Sequence, residues 1–337
     1  MGSIRRYIVV RLLTAIPMLF ILLTTIFIVL RLLPGDPISA MYGGKIPEEY
    51  AERLRHQLGL DQPIHIQYIN YLWQLFRGDF GTSTYTKRPI AREILERFPA
   101  TLELTIYGLI IALLIGIIFG SISAHKRGSK IDRVIRTYSI VAYSLFIPWF
   151  GAMLQYFFGV YLHVLPVGNR LDATISPPPT VTGLYTIDSL LAGDFYAFSS
   201  AIRHIILPSF VLGIVLSGIF VRITRENMIV VLKKDFINFA RARGIRENRI
   251  LWSHALKNSM IPIITIFGLQ FALLLAGAIL TETTFSWPGL GTYLKLRIEY
   301  RDYPAVQGVI VVYALLVILV SLIVDIIYAM IDPRIRY

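Results

Sequence analysis

Six stretches of the chain are each about twenty residues of almost unbroken apolar sequence, and that length dictates the architecture. A bilayer core needs about 20 apolar residues in a helix, because in hydrocarbon a single segment must satisfy its own backbone hydrogen bonds. The stretches run from Ile8 to Leu33, Ala100 to Ala124, Thr137 to Leu162, His204 to Val221, Ser259 to Thr281 and Ala305 to Ile331. They predict an all-α, polytopic membrane protein with six transmembrane helices. Arg5 and Arg6 precede the first run, as in a secretory leader. Its apolar core is longer than the roughly 7 to 15 residues of a leader and no small-residue cleavage signature follows, so it reads as an uncleaved anchor. With 55% of residues hydrophobic and 16% charged, against about 25% charged in soluble domains, a water-soluble globule is excluded.

The formal charge of +12 is a topology signal. Basic residues concentrate at Arg5, Arg6 and Arg11, from Lys126 to Arg136, from Arg222 to Lys257, and at Arg334 and Arg336. The acids in those pieces are Asp132, Glu226, Asp235, Glu247 and Asp332. Basic loops stay cytoplasmic, so both termini are expected inside a prokaryotic inner (plasma) membrane. Charge held in short loops beside membrane helices is not a nucleic-acid surface. Residues 34–97 then form an extracytoplasmic insert between a first helix (1–33) and a five-helix unit (98–331), followed by a cytoplasmic tail (332–337).

Within the insert, Pro47, Glu48, Glu49 and Ala51 begin a helix that stops at Gly59. A second begins near Pro63, with Ile64, Tyr68, Tyr71, Leu72, Leu75 and Phe76 at helical spacing and Trp73 beside them, as in a helix lying on the outer surface and capping the bundle. The segment from His163 to Arg203, with Pro177, Pro178 and Pro179, reads as an extended loop, a lid or docking surface. At Ser286 to Gly291, Pro288-Gly289 favours a tight turn and Trp287 suits the headgroup layer.

The cytoplasmic loop 222–258 is an amphipathic helical segment broken at Gly244. Ala240 and Gly244 are four residues apart and are expected to share a small-residue face, with Arg241 and Arg243 pointing elsewhere and Phe236 and Phe239 as an apolar anchor. Such a helix fits either a groove in a partner protein or a surface of anionic lipid.

The stretch Asp235-Phe-Ile-Asn-Phe-Ala-Arg-Ala-Arg-Gly244, continued by Ile250 to Pro262, resembles the coupling loop of ATP-binding-cassette importer permeases, and specifically the dipeptide/oligopeptide branch. The family pattern is EAA, three residues, Gly, then I-x-L-P. Here Asn238, Phe239 and Ala240 stand at the EAA triplet, Gly244 is in place, and Ile261-Pro262 closes the pattern after the longer gap of the peptide branch. Further landmarks of that branch are Arg31 to Pro37, Leu58 to Asp61, Gly78 to Gly81, Arg97 to Glu103, Phe285 to Gly291, Arg301 to Pro304 and Asp332 to Arg334. The resemblance implies a type I importer transmembrane fold, and a subunit that pairs with a second permease, two ATPase subunits and an outer substrate-binding protein. It also assigns coupling to Phe236, Phe239, Ala240, Arg241, Arg243 and Gly244.

The chemistry of the chain agrees. It has no cysteine and no G-x-x-x-x-G-K-[ST] loop, metalloprotease helix or nucleophile elbow, so it is not expected to be an enzyme or to hold a cofactor. ATP and magnesium are expected on the partner subunits. Glu103 and Asp325 are the acids within the spans, and Gln155 and Gln270 are uncharged candidates for a polar pathway. Gly116 and Gly120, Gly213 and Ser217, and Gly268, Ala272 and Ala276 form small-residue faces for close helix crossings. The resemblance implies peptides as cargo, with nickel complexes or oligosaccharides as alternatives in the same architecture. An ion-coupled secondary transporter using Glu103 or Asp325 is the rival class.

Overall fold

The computed structural model describes residues 4–32, 47–57, 59 and 61–331, and among these the architecture is helical. In chain order the helices are α1 (Ile4–Leu32), α2 (Glu48–Gln57), α3 (Ile64–Phe76), α4 (Ile90–His125), α5 (Lys130–Ser144), α6 (Ile147–Leu154), α7 (Tyr185–Leu191), α8 (Phe195–Leu232), α9 (Asp235–Ala242), α10 (Glu247–Leu275), α11 (Ile279–Thr284), α12 (Leu290–Glu299) and α13 (Tyr303–Ile331). Four of them, α4, α8, α10 and α13, are each long and apolar enough to cross a bilayer. A bent pair makes a fifth candidate, and the apolar stretch described in α1 is Leu13–Val29.

Glycine sets the central crossing. A Cβ on Gly108 would lie 2.7 Å from Leu212, one on Gly120 would lie 2.6 Å from Thr224, and one on Gly116 would overlap Phe220. The partner is always 104 residues further on, and a constant offset means that α4 and α8 run parallel. Small residues let the two backbones meet, as the faces of Gly116, Gly120 and Gly213 lead one to expect. In α5 the order reverses: Asp132 meets Arg225, while Tyr138 meets Ser217, so α5 runs antiparallel to α8. Gly268 of α10 lies against Val324 of α13. Around this frame the largest apolar cluster joins Leu104, Leu109, Leu212, Phe220, Ile263 and Trp287.

Helix α3 packs on the bundle with the face that the spacing predicts. Tyr71, Leu72 and Leu75 join Leu23, Ile26 and Val311, and Tyr68 and Tyr71 place their rings 5.1 and 5.6 Å from that of Phe27. Ile64, Ile69, Trp73 and Phe76 stay exposed.

Several expectations are corrected. The third apolar run is not one straight helix. Leu145 and Phe146 are extended, Pro148 stands in the first turn of α6, and the axis bends by 101° before continuing as π-helix over Gln155–Tyr161. A proline with no N–H to donate, and the β-region bias it imposes on its predecessor, is tolerated at such a helix start. The segment 163–203 is not extended throughout: it contains α7, and α8 already begins at Phe195, capped by Asp194 accepting from the Ala197 N–H. The second run is also longer, since α4 starts at Ile90 and carries Pro99 within it.

Candidate functional site

The 222–258 loop is a short arm with its break at Gly244, as expected, and its first residues belong to α8. Residues 222–232 continue α8, which ends at the Lys233 cap. After the turn, α9 packs Ile237 and Ala240 into a cluster with Ala124, Met228, Val231, Ile250, Leu251 and Ala255. The side chains of α9 with helical spacing from Ile237 therefore face the chain's own core, and Ala240 is buried there instead of lying on an open docking face. Gly244 is not on the helix with it. The Gly244 N–H donates to Arg241 O and the Ile245 N–H to Ala240 O (2.9 and 3.2 Å), the paired bonds of a Schellman cap. That cap needs a left-handed residue, and Gly244 has φ +73°. Ile245, partly buried on the same cluster as Ala240, supplies the apolar contact that accompanies such caps.

What the arm leaves exposed is aromatic and basic. Phe236 and Phe239 are 40% and 66% exposed. The Arg243 guanidinium lies 5.9 Å from the centre of the Phe239 ring, and Arg241 is fixed by a 2.8 Å bond to Glu247 across the Gly244 turn. Aromatic and arginine side chains held on a rigid support are enriched at protein interfaces. Behind the arm, Asp132 is buried and accepts from Ser123, the Gly128 N–H and both Nε and Nη2 of Arg225. This clasp ties the 126–129 turn to α8.

At the opposite end of the bundle the pathway candidates are occupied. Glu103 is buried, pairs with Arg170 and accepts from the backbone and hydroxyl of Thr186 (2.9 and 2.8 Å). Arg170 in turn lies 3.6 Å over the Tyr185 ring. Gln155 donates to the Val167 and Thr284 carbonyls, joining the π-helical turns to α11. Gln270 is half-buried in α10, and Asp325 falls in α13 with its side chain outside the described residues.

The sequence reading missed Glu282. It is fully buried, takes the Thr101 hydroxyl at 2.6 Å and the Thr292 N–H at 2.9 Å, and so caps the start of α12. A Cβ on Gly289 would collide with its carboxylate. Desolvation raises its pKa. Trp287 is corrected as well: it is buried and donates from Nε1 to Ala100 O at 2.8 Å, joining the corner after α11 to α4 instead of resting among headgroups. Two glycines two residues apart, seven and nine positions after an isolated acid, were the visible sign of a carboxylate cradle.

Nearby, Asp302 is buried and accepts from the Ser83 and Thr84 hydroxyls (2.5 and 2.7 Å), with Arg297 at 3.6 Å. Glu93, also buried, accepts from Tyr293 at 2.7 Å and from Thr86 at 3.1 Å. These bonds fix the segment before α4 to α12 and the turn that follows it.

The chain as a whole is similar to sequences of known kind. The family model described as "Binding-protein-dependent transport system inner membrane component" matches residues 116–337, and its N-terminal companion matches residues 4–105. The chain is 44% identical over 324 residues, 96% of each chain, to the di/tripeptide transport system permease protein DppB of Pseudomonas aeruginosa. It is 42% identical over 320 residues, 94% of each, to the dipeptide transport system permease protein DppB of Escherichia coli K12. To the glutathione transport system permease protein GsiC of Salmonella choleraesuis it is 37% identical over 331 residues, 98% of this chain and 99% of the relative. Matched along nearly its whole length, the chain belongs to the family of inner-membrane components of binding-protein-dependent transport systems.

Proposed function

We propose that this chain is one of two permease subunits of an ATP-binding-cassette importer for di- and oligopeptides. The observation that carries the reading is the full-length similarity to permeases named for dipeptides, tripeptides and glutathione. In this reading α1 is the first of six spans, both termini and the 222–258 arm lie in the cytoplasm, and an ATPase subunit docks on Phe236, Phe239, Arg241 and Arg243. ATP and its magnesium stay on that partner. A second permease completes the pathway, and a binding protein delivers cargo at the opposite face.

The arm is suited to transmit force because it does not hang free. A push on the Phe239 face passes through Ile237 and Ala240 to Met228 and Val231 of α8 and to Leu251 of α10. From α8 it passes to α4 through the glycine contacts. Close-packed interiors move as bodies and deform little, so displacement of the arm shifts three spans together. Glu103, neutralised by Arg170, is not a free acid for ion coupling.

The test is uptake of labelled dialanine by cells in which the gene is deleted and then restored. Uptake should disappear with the gene, return with it, and require ATP in vesicles carrying the partner subunits. Uptake that persists in the deletion strain, or that an ion gradient drives in vesicles holding this chain alone, would overturn the proposal.

A further inference from the structure

At the end of α8 away from the arm, the chain between the third and fourth spans folds over the first turns of α8 and leaves a cavity of about 770 Å³. Small-molecule sites occupy roughly 300–1,000 Å³ and combine apolar walls with a few placed polar groups. Here the polar groups are Asp172, Arg203, His204 and His163, and the aromatic ones are Phe195 and Tyr196.

Asp172 and His204 are held in place by neighbouring groups. The Thr174 N–H and hydroxyl both donate to Asp172 Oδ1 (3.1 and 2.9 Å), which holds this carboxyl below the usual range and makes it an anion at neutral pH. The Asp172 N–H donates to Ser200 Oγ at 3.0 Å, anchoring it to α8. His204 is 8% exposed, and its Nδ1 lies 2.8 Å from the Ser200 carbonyl. A carbonyl only accepts, so Nδ1 carries a hydrogen and Nε2 is the ring atom left to a guest. Arg203, one residue before it, is exposed and is in no ion pair among the described residues. The cavity thus offers an anion and an imidazole together with a cation, and two aromatic faces beside them.

We propose that this cavity binds a short peptide by both of its free ends, with Asp172 and His204 receiving the ammonium group and Arg203 the carboxylate. Phe195 and Tyr196 cover the guest's side chains. Recognition of the two termini leaves side-chain identity open, which suits a site through which many sequences pass. The proposal rests on the reading of the chain as a peptide permease subunit, and its test separates the two.

The experiment uses the full chain assembled with its partner permease and ATPase subunits in lipid nanodiscs, without the binding protein. Equilibrium dialysis measures the binding of labelled dialanine, N-acetyl-dialanine and dialanine amide. Each cap should weaken binding about tenfold or more, a tenfold change being 1.4 kcal/mol. Asp172→Asn keeps an Oδ1 acceptor for the Thr174 turn, and it should abolish discrimination against the acetyl group while preserving that against the amide. Arg203→Gln should do the reverse. Undetectable dialanine binding to the unmodified complex, or discrimination that neither substitution alters, overturns the cavity proposal even where cells still lose dialanine uptake on deletion of the gene. Cells that lose no uptake on deletion overturn the peptide-permease reading instead.

Discussion

The two ends of α8 hold their neighbours by different forces. At the C-terminal end, α9 and the start of α10 are seated by Met228, Val231, Ile237, Ile250 and Leu251, aliphatic contacts that carry no directional demand. At the other end four buried carboxylates, Glu93, Glu103, Glu282 and Asp302, are each bound by two or more donors, at least one of them from a distant part of the chain. Buried polar networks specify one geometry and are costly to disturb. A region held by apolar packing accommodates small rigid-body shifts, whereas a region held by buried ionic hydrogen bonds keeps its register. The contrast is between the apolar seat of α9 and the polar network around α11 and α12; α8 itself is also held near the arm by the buried Asp132–Arg225 clasp.

The sharpest way to break that contrast is at the fixed end. Glu103→Ala leaves Arg170 buried without its partner and should lower stability by about 3–5 kcal/mol, read as a drop in the unfolding temperature of the assembled protein in nanodiscs. Adding Arg170→Met should recover part of the loss, because a buried pair replaced by apolar groups costs less than a pair half removed. A single substitution that leaves the melt unchanged would mean that this network does not hold the region. Next in size, Gly289→Ala drives a Cβ into the Glu282 carboxylate, an overpacking expected to cost about 1–3 kcal/mol. Glu282→Ala in the same protein should relieve the steric part of that cost. Equal melts for Gly289→Ala and the unmodified protein would show that the cradle gives way.

How much of this was legible follows the same division. Apolar length marked the helices long enough to cross a bilayer, and the small-residue faces marked where helices cross closely without naming the partner helix, because both depend on residue type at a fixed period. The arm is legible as a motif, but the end of its helix is not. A Gly four residues after an Ala reads as a shared face until a +73° φ shows that the helix has already stopped. The polar network was nearly invisible. Glu103 was noticed as an acid in an apolar run, yet its partner Arg170 lies 67 residues away in a segment read as an open loop, and Trp287 was assigned to headgroups because indole amphipathicity fits either environment. Partners distant in sequence leave no periodic trace, whereas packing faces do.

At the arm the expected effects on stability are smaller and those on transport larger. Gly244→Val puts a Cβ where nothing stands within 4 Å, so its cost is conformational, about 1–2 kcal/mol for a left-handed non-glycine residue, confined to the Schellman turn. Loosening of that turn should be read as faster hydrogen exchange at the Gly244 and Ile245 amides with an unchanged global melt. If exchange there is unaltered, the turn does not depend on glycine.

The smallest change in stability and the clearest functional one should come from Phe239→Ala. Its ring is 66% exposed and stands outside the apolar cluster that seats α9, so the folded chain loses little, within about 0.5 kcal/mol for an exposed site of this kind. If an ATPase subunit docks there, truncation removes an aromatic anchor of the sort that commonly contributes 2 kcal/mol or more at an interface. Dialanine uptake should then fall at least tenfold while the melt stays in place. The control is Ile237→Ala on the opposite side of the same short helix, where a fully buried side chain is lost. That substitution should move the melt and uptake together. Were Phe239→Ala to behave like Ile237→Ala, the exposed face would be part of the fold and not a place for a partner. Separation of the two readouts would identify the outward side of α9 as the surface through which force enters and the inward side as the packing that carries it to α8.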